Sequence, residues 1–100
     1  MSVDLCYLPA SRALEAFRRR DLSPVELMRA VIERIEAVDP VINALPIRFF
    51  DQALAAASDA EARYAGRGVT PRPLEGLPVA VKDEIAVEGQ PATAGSLLLE

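Results

Sequence analysis

The sequence predicts an α/β fold in which helices come first and short strands follow. Apolar residues recur at helical spacing through most of the first two thirds of the chain. A loop rich in glycine and proline spans 66–73, and the apolar run 78–81 behind it is typical of a buried strand. With 100 residues, the chain has the size of one small domain or of part of a larger one.

The first helix is predicted over about 11–20, with Ser11 as its N-cap. Leu14 and Phe17 form an apolar stripe on it. Arg18 to Arg20 fall in its last turn, where cations face the negative end of the helix dipole. A phosphate or RNA patch is the alternative interpretation of these arginines, and the acidic balance of the chain disfavours it.

The second helix is predicted over about 24–38. It starts with the capping box Ser23-Pro24-Val25-Glu26, which has proline at the first helical position. An apolar stripe at helical spacing predicts a buried face. Asp39-Pro40 is expected to end this helix, because proline disfavours helical geometry in the residue before it.

A third helix, rich in alanine, is predicted over about 52–64, with Asp51 as its cap and Gly66 in the left-handed position after its end. Its face of small residues permits close packing against another element. Three short strands are predicted at about 44–50, 78–82 and 85–87. Pro46 makes the first of these an edge strand, since proline donates no ladder hydrogen bond.

Composition excludes several classes of function. Histidine is absent, which rules out a Ser-His-Asp or Cys-His pair within these residues. Cys6 is the sole cysteine, so no internal disulfide or cysteine-rich zinc site can form, and we expect neither a metal nor a cofactor. The net charge of −4 argues against direct binding of nucleic acid. Neither a membrane span nor a secretory signal is evident, so a cytoplasmic protein is expected.

Lys82 is the candidate catalytic residue, because it follows a predicted buried strand and ligand sites gather at the carboxyl ends of strands. A lysine partly withdrawn from water can lose its proton and act as a base or a nucleophile. Two alternatives remain open: a solvated lysine paired with Asp83 or Glu84, and a lysine that forms a Schiff base with a carbonyl substrate.

Residues 74–83, Leu-Glu-Gly-Leu-Pro-Val-Ala-Val-Lys-Asp, resemble the signature segment of the amidase signature family, including its members similar to the A chain of glutamyl-tRNA amidotransferases. The family pattern reads Leu-x-Gly-Ile/Leu-Pro-x-x-Val-Lys-Asp. The continuation through Thr-Ala-Gly-Ser at 93–96 is also similar, as is the upstream part from the Ser23 capping box onward. The resemblance therefore covers almost the whole chain.

This resemblance implies the amidase signature fold, whose mixed sheet would begin with the predicted strands. It also implies a hydrolase that cleaves a carboxylic amide through a Ser-cisSer-Lys triad. Lys82 matches the lysine of that triad and would serve as general base. Both serines belong to a glycine- and serine-rich segment that these residues do not include. We therefore expect residues 1–100 to be the N-terminal part of a single amidase domain.

The resemblance leaves the partners open. A free-standing hydrolase of small-molecule amides and one component of a tRNA-dependent amidotransferase share these motifs, so a homo-oligomer or a partner subunit is compatible with either. A different class of function also remains: a non-catalytic helical module whose apolar faces dimerise or dock on a partner.

We predict that the 100-residue chain alone hydrolyses no amide, because it has the candidate base but neither serine of the triad. Release of ammonia from small primary carboxamides would measure this, with the full-length protein as the positive control. Turnover by the isolated chain that a serine reagent abolishes would contradict the prediction.

Overall fold

The computed structural model describes residues 3–45 and 47–82, and these form a helical body. A 3₁₀ helix spans Val3–Tyr7, and three α-helices follow: α1 (Ala10–Arg19), α2 (Pro24–Ile42) and α3 (Phe50–Tyr64). Helix α2 packs along α3 and against the 3₁₀ helix, while α1 also contacts α3. Within the described ranges, no helix is long and apolar enough to cross a membrane.

Phe17 lies at the centre of the core and is fully buried. The buried side chains that pack with it come from α1, from the turn after it and from α2: Ala13, Leu14, Leu22 and Leu27. The leucine at position 14 and the phenylalanine at position 17 are the stripe that the sequence predicts for the first helix. Tyr64 and Leu77 pack against the edge of this cluster, which connects it to α3 and to the segment after α3.

Ser23 caps α2 and connects it to α3. Its hydroxyl accepts a hydrogen bond from the amide of Val25 at 3.0 Å and donates one to the carboxylate of Glu61. Pro24 occupies the first turn, as predicted, and is buried. The bonded amide is that of the second helical residue rather than the third, and no hydrogen bond joins Glu26 to the cap in the part of the chain described. The cap therefore serves the tertiary structure as well as the helix.

The predicted end of α2 at Asp39-Pro40 is wrong, because the helix continues through Pro40 to Ile42. The carboxylate of Asp39 accepts hydrogen bonds from the amides of Ala44 at 2.7 Å and Leu45 at 3.2 Å, and it pairs with Arg48. These bonds fold the chain back over the helix end, and they supply partners for amides that follow the last turn.

Asp39 is buried, which by itself raises the pKa of its carboxyl group. The hydrogen bond from Arg48 and those from the two amides outweigh the burial, so the net pKa is lowered. The carboxylate is therefore held in its charged form at the end of α2.

The predicted caps of the other two helices differ from the observed ones. Pro9 and Phe49 occupy the N-cap positions of α1 and α3, and neither makes a side-chain capping bond. Ser11 lies inside the first turn of α1, and Asp51 lies in the first turn of α3, where its charge faces the positive end of the dipole. Arg18 and Arg19 do lie in the last turn of α1, in agreement with the dipole interpretation of the arginine run.

The predicted strand at 44–50 is not formed in the described residues, and Phe50 already belongs to α3. Asp39 binds the amides of Ala44 and Leu45, which a strand would need for its ladder. The residues at 78–82 also form no strand, since the described part of the chain offers no neighbouring strand to pair with. The predicted strand at 85–87 lies outside the described residues, so the mixed sheet stays a prediction.

Gly76 makes the closest backbone approach to the helices. Its φ is +90°, and a Cβ atom there would lie 2.9 Å from Cγ of Pro24 and 3.2 Å from Cε2 of Phe17. Only glycine combines this backbone conformation with so little room. The segment after α3 is therefore pressed directly onto the junction between α1 and α2.

We predict that Gly76→Ala lowers the free energy of unfolding more than Gly68→Ala does. Gly68 also has a positive φ, +99°, but nothing lies within 4 Å of the site of its Cβ, so it is the matched control. The positive φ costs about 1–2 kcal/mol at either site, and overpacking adds about 1–3 kcal/mol at Gly76 alone. Chemical denaturation measures both changes, and equal losses would show that the contact with Pro24 is unimportant.

Candidate active site

Two consecutive turns lead from the loop after α3 toward Lys82. The amide of Glu75 donates to the carbonyl oxygen of Arg72 at 3.1 Å, and the amide of Leu77 donates to that of Leu74 at 3.3 Å. We call residues 72–77 the anchored turn. It carries the first half of the segment on which the resemblance to amidases depends, and Lys82 follows its last residue by five positions.

The carboxylate of Glu75 is buried in the anchored turn, with 7% of the residue exposed. Arg63 of α3 donates to its Oε1 at 2.8 Å. Arg72 binds both oxygens, with Nε 3.0 Å from Oε1 and Nη2 3.0 Å from Oε2, and the backbone amide of Arg72 lies 3.3 Å from Oε1. This two-pronged contact with a guanidinium group is the strong form of the ion pair. The network attaches the turn to α3.

Tyr64 holds the backbone of the same residue. Its hydroxyl donates to the carbonyl oxygen of Glu75 at 2.7 Å, while its ring packs on Phe17 with 5.5 Å between ring centroids. Burial raises the pKa of the Tyr64 hydroxyl, and the negative charge of Glu75 acts in the same direction. The hydroxyl therefore keeps its proton and remains a donor to the turn.

The arginines determine the charge state of Glu75. The hydrogen bonds from Arg72 lower the pKa of its carboxyl group most, and those from Arg63 add to this against the opposing effect of burial. The result is a pKa of about 2. Glu75 is therefore a permanent anion at neutral pH, and no proton transfer is expected from it.

Lys82, the sequence-predicted catalytic residue, is exposed at the end of the described residues. Asp83, Glu84 and Ser96 lie outside them, so the predicted interpretations of these neighbours are untested. Sequence analysis missed the network around Glu75. One signal was available, since Arg72 and Glu75 have opposite charges three positions apart, but the pairing with Arg63 joins residues twelve positions apart and leaves no local pattern.

An open groove of about 600 Å³ lies beside the anchored turn. Its floor includes alanines of α3 (Ala53, Ala56 and Ala57), and Met28 of α2 and Val79 contribute apolar walls. The small residues that the sequence places on the third helix create this space. In the described part of the chain, no group of three or more histidine, cysteine, aspartate or glutamate side chains could hold a metal ion.

Comparison with known proteins identifies the family. The amidase family matches residues 26–100, so the chain belongs to the amidase family, and the resemblance seen in the signature segment is confirmed. No solved structure matches the chain.

The relatives found among curated proteins are A chains of glutamyl-tRNA(Gln) amidotransferase. That of Chloroflexus aurantiacus is 42% identical over 97 residues, which cover 96% of this chain and 20% of the relative. That of Carboxydothermus hydrogenoformans is 37% identical over 98 residues, 98% of this chain and 20% of the relative. That of Geobacter sulfurreducens is 46% identical over 81 residues, 81% of this chain and 16% of the relative. The chain spans about one fifth of the length of such relatives.

We predict that acid weakens the fold partly through Glu75. Its carboxyl group has a pKa of about 2 in the folded chain, against a usual 4.5, so its contribution is complete above pH 4.5 and is lost as the pH falls toward 2. Glu75→Gln should lower the free energy of unfolding at neutral pH by about 1.5–3 kcal/mol, and it should flatten the loss in acid.

The control for this prediction is Glu33→Gln, which neutralises an exposed glutamate of α2. Its free energy of unfolding should stay within about 0.5 kcal/mol of the parent chain at neutral pH. Denaturant titrations at several pH values between neutrality and pH 2 measure both variants. An acid response of Glu75→Gln as steep as that of the parent chain would show that Glu75 contributes nothing to it.

Proposed function

We propose that this chain is the N-terminal, lysine-bearing part of an amidase signature hydrolase that cleaves the C–N bond of a carboxylic amide. Lys82 is the general base of a Ser-cisSer-Lys triad, and the two serines lie outside these residues. The observation that carries the proposal is the amidase match over 26–100, which includes the signature segment and its lysine. Lys82 is also the sole lysine of the chain.

The chemistry follows from the properties of a neutral amine. Uncharged Lys82 accepts a proton from the bridging serine, which in turn accepts the proton of the nucleophilic serine. The serine oxygen then attacks the amide carbonyl, and the departing amine takes a proton as the C–N bond breaks. Water releases the acyl group from the serine. The exposure of Lys82 suits a base that serves groups outside the described residues.

A role in a tRNA-dependent amidotransferase is the second candidate. The specific observation in its favour is that relatives at 37–46% identity are all A chains of glutamyl-tRNA(Gln) amidotransferase. In that role the protein works with a partner subunit, whereas a free-standing amidase acts on small-molecule amides by itself. Purification of the native protein separates the two candidates, because only the amidotransferase role requires a stable partner for activity.

The non-catalytic helical module makes a different prediction for the same lysine. If the helices serve only to dock a partner, replacing Lys82 changes no binding and no turnover exists to lose. The measurement below therefore also decides between an enzyme and an interaction module.

We predict that Lys82→Ala in the full-length protein lowers amide turnover by about 10²- to 10⁴-fold, the usual contribution of a general base, while folding stays intact. Ammonia release from small primary carboxamides is the assay, and circular dichroism monitors the fold. Arg67→Ala, which removes an exposed cation from the loop after α3, is the matched control and should keep parental turnover. Parental turnover in Lys82→Ala would overturn the proposal.

A further inference from the structure

Three contacts with three helices hold the anchored turn. The Glu75 carboxylate binds Arg63 of α3, and the Glu75 carbonyl oxygen accepts a hydrogen bond from the hydroxyl of Tyr64 at the end of the same helix. Gly76 abuts Pro24 of α2 and Phe17 of α1. Both the side chain and the backbone of residue 75 are therefore fixed relative to the helical body.

Glu75 is buried and permanently charged, so it does not act on a substrate itself. It also stands at a position that the signature pattern leaves variable, so the family pattern assigns it no role. Seven residue steps separate it from Lys82, and an extended chain of that length reaches about 24 Å at most. Any displacement of residue 75 is thus passed along a short tether to the lysine.

We propose that Glu75 is a positioning residue for Lys82. Its ion pairs with Arg63 and Arg72 fix the start of the lysine-bearing segment against α3, and the hydroxyl of Tyr64 fixes the backbone at the same point. The inference rests on the proposed function, because a positioned lysine matters for catalysis only if Lys82 is the base. It predicts that the network affects the triad as well as stability.

The test uses the full-length protein and a fluorophosphonate, a reagent that phosphonylates an activated serine, so no substrate needs to be known. The variants are Glu75→Gln, which keeps the shape and removes the charge, and Tyr64→Phe, which removes the hydroxyl alone. The control is Asp39→Asn, which neutralises the other buried carboxylate paired with an arginine, at the end of α2. Serine labelling and Lys82 acylation by acetic anhydride are measured at a temperature where all variants are folded.

Glu75→Gln should lower the labelling rate by about 10- to 100-fold, the cost of misplacing a reacting group by roughly 1 Å, and should change the rate of Lys82 acylation. Tyr64→Phe should produce the same change to a smaller degree. Asp39→Asn should lose stability but keep both rates.

Two outcomes overturn the inference and remain distinguishable. If Glu75→Gln and Tyr64→Phe label like Asp39→Asn while Lys82→Ala loses labelling, positioning by Glu75 is wrong and the proposed function stands. If Lys82→Ala labels at the parental rate, the proposed function itself fails, and the positioning inference falls with it.

Discussion

The buried carboxylate of Glu75 is the interaction on which the arrangement of the described residues depends. Removing a carboxylate from water costs several kcal/mol in typical proteins, and one ion pair seldom repays this. Glu75 meets the cost with two guanidinium groups and a backbone amide, which satisfy both of its oxygens. Breaking any of these contacts would leave a buried charge poorly compensated. The network therefore favours a single placement of the anchored turn on α3.

Asp39 solves the same problem at the opposite end of α3. It too is buried, pairs with an arginine and accepts backbone amides, and its pKa is also lowered. It orders the residues that enter α3, whereas Glu75 orders those that leave it. Each carboxylate replaces hydrogen bonds that regular secondary structure would otherwise supply to a loop. The two loops at the ends of α3 are thus ordered by charge, and the helices between them by apolar packing.

The helices follow from local patterns, and this is why the sequence predicts them. The apolar stripe around Phe17 and the cap at Ser23 each depend on residues within one or two turns of one another. The pairing of Glu75 with Arg63 and the contact of Gly76 with Pro24 join distant parts of the chain, which periodicity does not reveal. Pro40 shows the converse error, because tertiary bonds from Asp39 sustain a helix end that local preference would terminate.

The glycine of the amidase signature acquires a physical reason from this structure. At Gly76 the chain needs a positive φ, and a Cβ atom added there would lie only 2.9 Å from the ring of Pro24, so no other residue fits without displacement. The candidate base lies six residues further along the same segment. Its location is therefore determined by a turn packed on helices rather than by a strand within the described residues. A catalytic lysine held in this way depends on side chains of α3 that never approach the substrate.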